Sequence, residues 1–220
     1  MKTAWIAGAS GLVGSFCLKH LLDSPVYSRV VAVARRELPI QHPKLTQALV
    51  NFAVLDPSPG VDDVFCCLGT TIRQAGSREA FRRVDFGYVV SLAEAAVHSG
   101  ANQFLVVSSV GADPASPNFY LRVKGEMERA ILQWPFAAVH LFRPSLLIGP
   151  RRQFRFAERL GAVMAPIVSP LLRGSLRRYR PVQASAVAGA MLAAAARGAR
   201  GRCVYEGEAI LELTRVTGPT

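Results

Sequence analysis

The stretch Trp5–Phe16, WIAGASGLVGSF, decides the fold. An apolar run stops at Gly8, two more glycines follow at three-residue steps, Gly11 and Gly14, and an apolar-periodic segment opens at Leu12. A strand that enters a helix through such a turn has a use for each glycine. The first permits the tight turn, the second lets the backbone approach a pyrophosphate, and the third lets helix and strand pack closely. The helix N-terminus adds unpaired N–H groups and a positive dipole end. Gly8, Ala9, Ser10, Gly11, Leu12, Val13 and Gly14 are therefore a candidate phosphate cradle. The spacing is GxxGxxG rather than GxGxxG, and a glycine-rich turn alone is a weak signal. Its place between a strand and a helix, with a second strand about twenty residues on, gives it weight.

Outward from that turn, short β-type runs alternate with helical ones. Strands are expected at Thr3–Ala7, Val30–Ala34, Ala48–Val54, Val64–Leu68, Gln103–Ser109 and Ala137–Phe142. Helices are expected at Leu12–Leu22, from just after Ser77 to Ser99–Gly100, over Phe119–Gln133 and over Ala184–Ala196. Strands joined by crossover helices make a parallel sheet covered on both faces, with its ligand crevice beside the first βα turn. The fold class is α/β, a Rossmann-type doubly wound parallel sheet. Residues 1–220 read as a single domain, in which Pro144 to Pro181 makes a small C-terminal substrate lobe or lid before a last helix and a short strand at Cys203–Tyr205. The apolar, proline-broken segment Leu160–Leu172 suits a greasy substrate wall, core packing or a subunit contact.

The second strand ends in VAVARRE, which puts Arg35 and Arg36 where an NAD site usually carries an acidic residue for the ribose 2′-hydroxyl. Two guanidiniums suit a 2′-phosphate far better than a hydroxyl. NADP(H) is the expected cofactor, and the neighbouring Glu37 leaves NAD(H) open.

The chemistry is expected in VVSSVGADPASPNFYLRVKGEME. Tyr120 and Lys124 stand four apart on a helix and so share a face, while Ser108 and Ser109 end the fifth strand at the ligand crevice. A phenol titrates near ~10. To exchange protons near neutrality its phenolate needs a neighbouring cation, which a lysine one turn away supplies. A serine hydroxyl can then orient a substrate carbonyl.

Composition narrows the rest. At 220 residues, half of them apolar, the chain can bury a core without disulfides or metals. No apolar run approaches the ~20 residues of a membrane-spanning helix. MKTAWIAGASGLVG is superficially like a secretory signal, but its glycines fit a β-turn-α unit better and no convincing cleavage site follows, so the expected location is cytoplasmic. The four cysteines, Cys17, Cys66, Cys67 and Cys203, form no CxxC pair and have no histidine cluster. They read as small buried hydrophobes in a reducing compartment, with no metal site expected. The net charge of +11 is mostly arginine, densest at Arg151, Arg152, Arg155 and Arg159 and again at Arg173, Arg177, Arg178 and Arg180. A solvated basic face or an anion site accounts for it. Without a recognition motif, nucleic acid is not an expected partner.

Taken together, GASGLVG, CCLGTTIRQAGSREAFRRVD and LVVSSVGADPASPNFYLRVKGEME resemble the short-chain dehydrogenase/reductase superfamily. The nearer likeness is to its atypical, extended-type members, the Tat-interacting-protein oxidoreductases and their bacterial relatives, over about Lys2 to Leu147. The resemblance implies a Rossmann fold and NADP binding. It implies Tyr120 as the catalytic acid/base, Lys124 lowering the Tyr120 pKa and holding the nicotinamide ribose, and Ser109 rather than Ser108 polarising the carbonyl. It also implies that Leu68, Gly69 and Thr70 line the cofactor, that Asp56 or its neighbours lie by the adenine, and that Pro144 belongs to the loop over the nicotinamide. Where many members carry asparagine this chain reads VDF, with Asp85, which puts a proton relay through that asparagine in question.

The function this implies is hydride transfer to or from a carbonyl or alcohol of a small-molecule substrate. Two alternatives stand beside it. One is a redox-sensing dinucleotide-binding protein that regulates a partner, for which the basic stretch Arg151–Arg180 would serve. The other is an epimerase or dehydratase, for whose nucleotide-sugar substrates the C-terminal region is short. A homodimer through the helices at 78–99 and 119–133 is also left open.

Overall fold

The computed structural model describes residues 1–149 and 180–215. Seven parallel strands form one sheet: β1 (Lys2–Ala7), β2 (Tyr27–Ala34), β3 (Leu45–Leu49), β4 (Asp63–Cys66), β5 (Gln103–Val107), β6 (Ala138–Arg143) and β9 (Gly201–Glu206), in the order β3-β2-β1-β4-β5-β6-β9. From β1 the chain winds outward through β2 and β3. It then crosses back to β4 on the other side of β1 and winds outward again. The reversal makes a switch point between β1 and β4, the crevice where doubly wound sheets bind ligands.

The helices are α1 (Leu12–Asp23), the short α2 (Ile72–Ala75) and α3 (Arg78–Arg82), α4 (Tyr88–His98), α5 (Phe119–Ile131), α6 (Ala184–Ala196) and α7 (Glu208–Arg215). A π-helical turn, Arg83–Gly87, joins α3 to α4, so the expected long helix after Ser77 is one continuous helical path with a bulge in it. Ser77 caps it by accepting a hydrogen bond from the Ala80 N–H, and such caps contribute ~1 kcal/mol.

Burial alternates along β1. Ala4 and Ile6 join the core under α1, α6 and α7, while Trp5 and Ala7 join the core under α4 and α5. The adjacent Cys66 and Cys67 likewise serve opposite faces. All four cysteines are free, burial pushes the Cys66 thiol up to about 12, and a hydrogen bond with Cys17 together with burial raises Cys67. Thiols held protonated this way behave as hydrophobes.

The third strand lies earlier than expected. It runs Leu45–Leu49, and Asn51 and Val54 close a small antiparallel bridge instead. This edge strand, LTQAL, has no fully buried residue, so the apolar signal came from Phe52 just beyond it, which is 2% exposed. Helix α7 was not anticipated because only Ile210 and Leu213 of it are buried. Most of the expected substrate lobe, the segment Leu160–Leu172 and the arginines from Arg151 to Arg178 lie outside the described residues. Either side of that gap, Leu147–Ile148 (β7) pairs in parallel with Val182–Gln183 (β8).

Candidate active site

At the switch point Gly8 adopts φ +82°, and a Cβ there would stand 2.4 Å from the Cys67 carbonyl oxygen. A Cβ on Gly14 would stand 2.0 Å from the Gly8 carbonyl oxygen. Only hydrogen at both positions lets β1, α1 and the end of β4 approach this closely. Helix α1 begins beyond Gly11 with no side-chain cap and no acidic residue in its first turn. Its N–H groups and dipole are thus left for an anion.

A cavity of about 800 Å³ opens at this point. Gly8, Ala9, Ser10 and Gly11 form one wall, Leu68, Gly69 and Thr70 another, and Arg35, Arg36 and Glu37 the far end. Leu12, Val13 and Gly14 lie behind the wall; Val13 is buried in the core and Gly14 packs on Gly8. Arg35 and Arg36 are exposed and make no ion pair among the described residues. Sequence reasoning missed Arg83, which joins them on the lining from the π-helical turn, and the aromatic wall of Phe52 and Tyr88, stacked at 5.6 Å. Asp56 is exposed and off the lining, where Phe52 takes the adjacent wall. Pro144 is off it as well. Its carbonyl accepts a hydrogen bond from Val110 N–H at 3.1 Å, which ties the loop after β6 to the one carrying Ser109.

Ser109, Tyr120 and Lys124 lie off that lining, and Lys124 comes next to it at Gly69, where a Cβ would stand 3.9 Å from its Nζ. Asn118 caps α5, and Tyr120 and Lys124 follow one turn apart. Tyr120 packs on Phe81 at 5.5 Å between ring centres. A Cβ on Gly125 would fall 2.2 Å from the Asp113 carbonyl carbon, so glycine there lets the loop after Ser109 lie directly on α5. Ser109 is 9% exposed. The Ser108 hydroxyl instead donates to Glu128 Oε1 at 2.5 Å, and Glu128 is held by the Arg143 guanidinium at 2.5 and 2.9 Å, so Ser108 is committed to that network.

Lys124 is buried, with its Nζ 2.8 Å from Asp85 Oδ1. Asp85 Oδ2 accepts the Thr70 N–H at 2.9 Å. Burial works to strip the proton from Lys124, but Asp85 and then Tyr120 outweigh it and hold the ammonium above its ordinary value. The sequence marks Asp85 as a departure and carries no sign of its partner, because the pair forms only when the π-helical turn meets α5. Among the described residues no group of side chains could hold a metal ion, and no helix is long and apolar enough to cross a membrane.

A glycine turn at the switch point of a doubly wound sheet defines a dinucleotide-binding Rossmann protein. The chain belongs to the NAD(P)H-binding family, whose model matches residues 8–147. It is similar to the protein HTATIP2 of Rattus norvegicus, 40% identical over 166 residues, covering 72% of this chain and 68% of that one. It is also similar to the mitochondrial protein FMP52 of Coccidioides immitis, 32% identical over 213 residues, covering 88% and 85%. These relatives place it among the atypical short-chain dehydrogenases/reductases. Among solved structures, MoeE5 in complex with UDP-glucose and NAD superposes with a TM-score of 0.69 at 20% identity, covering 98% of this chain and 82% of that one. A UDP-glucuronic acid 4-epimerase from Bacillus cereus gives 0.67 at 15% identity, covering 99% and 84%. Both share the fold.

Proposed function

We propose that the protein is an NADP(H)-dependent oxidoreductase that works through Ser109, Tyr120 and Lys124 on a carbonyl or alcohol substrate. The observation that carries this reading is one cavity with an uncapped helix N-terminus at one wall and Arg35 and Arg36 at its far end. The pyrophosphate would sit against Gly8–Gly11, and the 2′-phosphate against the two arginines with Arg83 beside them. Glu37 at the same end would disfavour that phosphate, which keeps NAD(H) as the competing ligand.

The nicotinamide would supply or accept the hydride. The chain's own groups handle the rest. The Tyr120 hydroxyl gives its proton to the substrate oxygen on reduction and takes it back on oxidation. The Lys124 ammonium stabilises the phenolate left behind and holds the ribose. The Ser109 hydroxyl orients the carbonyl, a role for which it is freer than Ser108. The regulatory alternative would use a basic stretch that lies, apart from Arg180, outside the described residues.

The test is a titration with NADPH and NADH of the wild type and of Arg35→Ala/Arg36→Ala. NADPH affinity should fall roughly tenfold or more in the double variant, as expected for lost charge-assisted hydrogen bonds, while NADH affinity changes little. Tyr120→Phe should keep NADPH binding and lose turnover on any carbonyl substrate the wild type reduces. Equal binding of the two cofactors by the wild type would rule out the 2′-phosphate assignment.

A further inference from the structure

We infer that Asp85 is a positioning residue of the site: its carboxylate fixes both the place and the charge of the Lys124 ammonium and ties them to the cofactor-lining turn at Thr70. This deepens the Ser109–Tyr120–Lys124 reading and rests on it for what the ammonium would then do.

Four observations carry it. Asp85 and Lys124 are both almost fully buried, with side chains 1% and 5% exposed, and lie 2.8 Å apart, so neither charge is met by solvent. Among the described residues the Lys124 ammonium is the one group that meets Asp85 Oδ1. Asp85 Oδ2 takes the Thr70 N–H, so one side chain spans α5 and the wall of the cavity. Gly69 of the same wall lies alongside the pair, a Cβ there falling in ordinary contact at 3.5 Å from Asp85 Oδ1 and 3.9 Å from Lys124 Nζ. The π-helical turn Arg83–Gly87 is what aims Asp85 inward, and such bulges recur at functional sites.

The ionisable groups that bear on Lys124 are Asp85 from the π-helical turn, Tyr120 from its own helix and Cys66 from β4, and the Val107 carbonyl lies 3.5 Å away. Of these the carboxylate is the one anionic at neutral pH, since the Cys66 thiol is held protonated. An asparagine at position 85 would keep an acceptor for the Thr70 N–H and nearly the same shape while deleting the charge. Lys124 would then feel burial without its largest offset and lose its proton far more readily.

The experiment uses the full chain with lysine labelled with carbon-13 at Cε. With four lysines in the protein, Lys124 is assigned by its absence from the spectrum of Lys124→Arg. Its titration is followed in the wild type and in Asp85→Asn, alongside NADPH affinity at pH 7 and pH 9. The expected result is a wild-type midpoint above the ordinary 10.5, a Lys124 acid dissociation constant larger in Asp85→Asn by roughly a hundredfold or more, and NADPH affinity that weakens at pH 9 only in the variant. The same Lys124 midpoint in both proteins would overturn the inference. Should Asp85→Asn fail to fold, the wild-type midpoint decides alone, and a value below 10.5 overturns it. If the midpoints differ as expected while neither protein binds NADPH, the role of Asp85 stands and the dinucleotide assignment falls.

Discussion

Gly14 has no room for a methyl group: its Cβ would meet the Gly8 carbonyl oxygen at 2.0 Å, and the atoms it meets are backbone of the turn between β1 and α1. Gly76 differs, with φ +87° and nothing within 4 Å of its Cβ. Gly14→Ala should therefore cost roughly 3 kcal/mol or more through overpacking. Gly76→Ala should cost about 1–2 kcal/mol for the left-handed backbone alone. Urea unfolding followed by circular dichroism measures both, and equal costs would mean that α1 yields at Gly14. The spacing of the glycines was legible in the sequence because a turn is local. Asp85 was legible only as an oddity, since what makes it important is an ion pair with Lys124 on another element.

Between elements, a buried polar chain crosses the sheet at the end away from the cavity. Tyr27 donates to Asp63 at 2.7 Å and Gln103 donates to the same carboxylate at 2.9 Å. The Gln103 carbonyl oxygen then takes His140 Nε2–H at 3.1 Å, and His140 Nδ1 accepts from Tyr205 at 3.2 Å. That pattern uses a neutral imidazole, and burial pushes His140 down to about 4 from 6.5. The unfolded chain takes up a proton below pH 6.5 that the folded one refuses. Stability from this group is thus complete above about pH 6.5, shrinks as pH falls, and stops shrinking near pH 4. At ~1.4 kcal/mol per unit the loss should reach roughly 2–3 kcal/mol by pH 4. Urea unfolding at pH 7, 5.5 and 4.5 should record it, and His140→Gln should flatten the dependence over that range. A histidine in an apolar strand was readable from the sequence; its partners, Gln103 on β5 and Tyr205 on β9, were not.

For the whole molecule, the family match ends at residue 147, yet the core under α1 is completed by α6, where Val187, Ala190 and Met191 are fully buried. Met191 meets Cys67 in this same core, its Sδ 4.0 Å from Cys67 Sγ just past the end of β4. If the chain is one domain, as its length suggests, Met191→Ala should cost ~2–5 kcal/mol of global stability and leave a single unfolding transition. Two transitions, one untouched by the substitution, would make the C-terminal part a separate unit.

What the sequence by itself determined is what neighbours along the chain can encode. The alternation of strand and helix, the glycine turn between them, and the shared face of Tyr120 and Lys124 each follow from spacing over a few residues. It misplaced β3, because an edge strand half exposed on both faces carries little apolar signal. Only the tertiary structure decided that Arg83, Phe52 and Tyr88 wall the cavity, that Glu128 and Arg143 occupy Ser108, and that Asp85 holds Lys124. Each of these is a meeting of elements distant in sequence, fixed by strand order and by where two buried charges can satisfy one another.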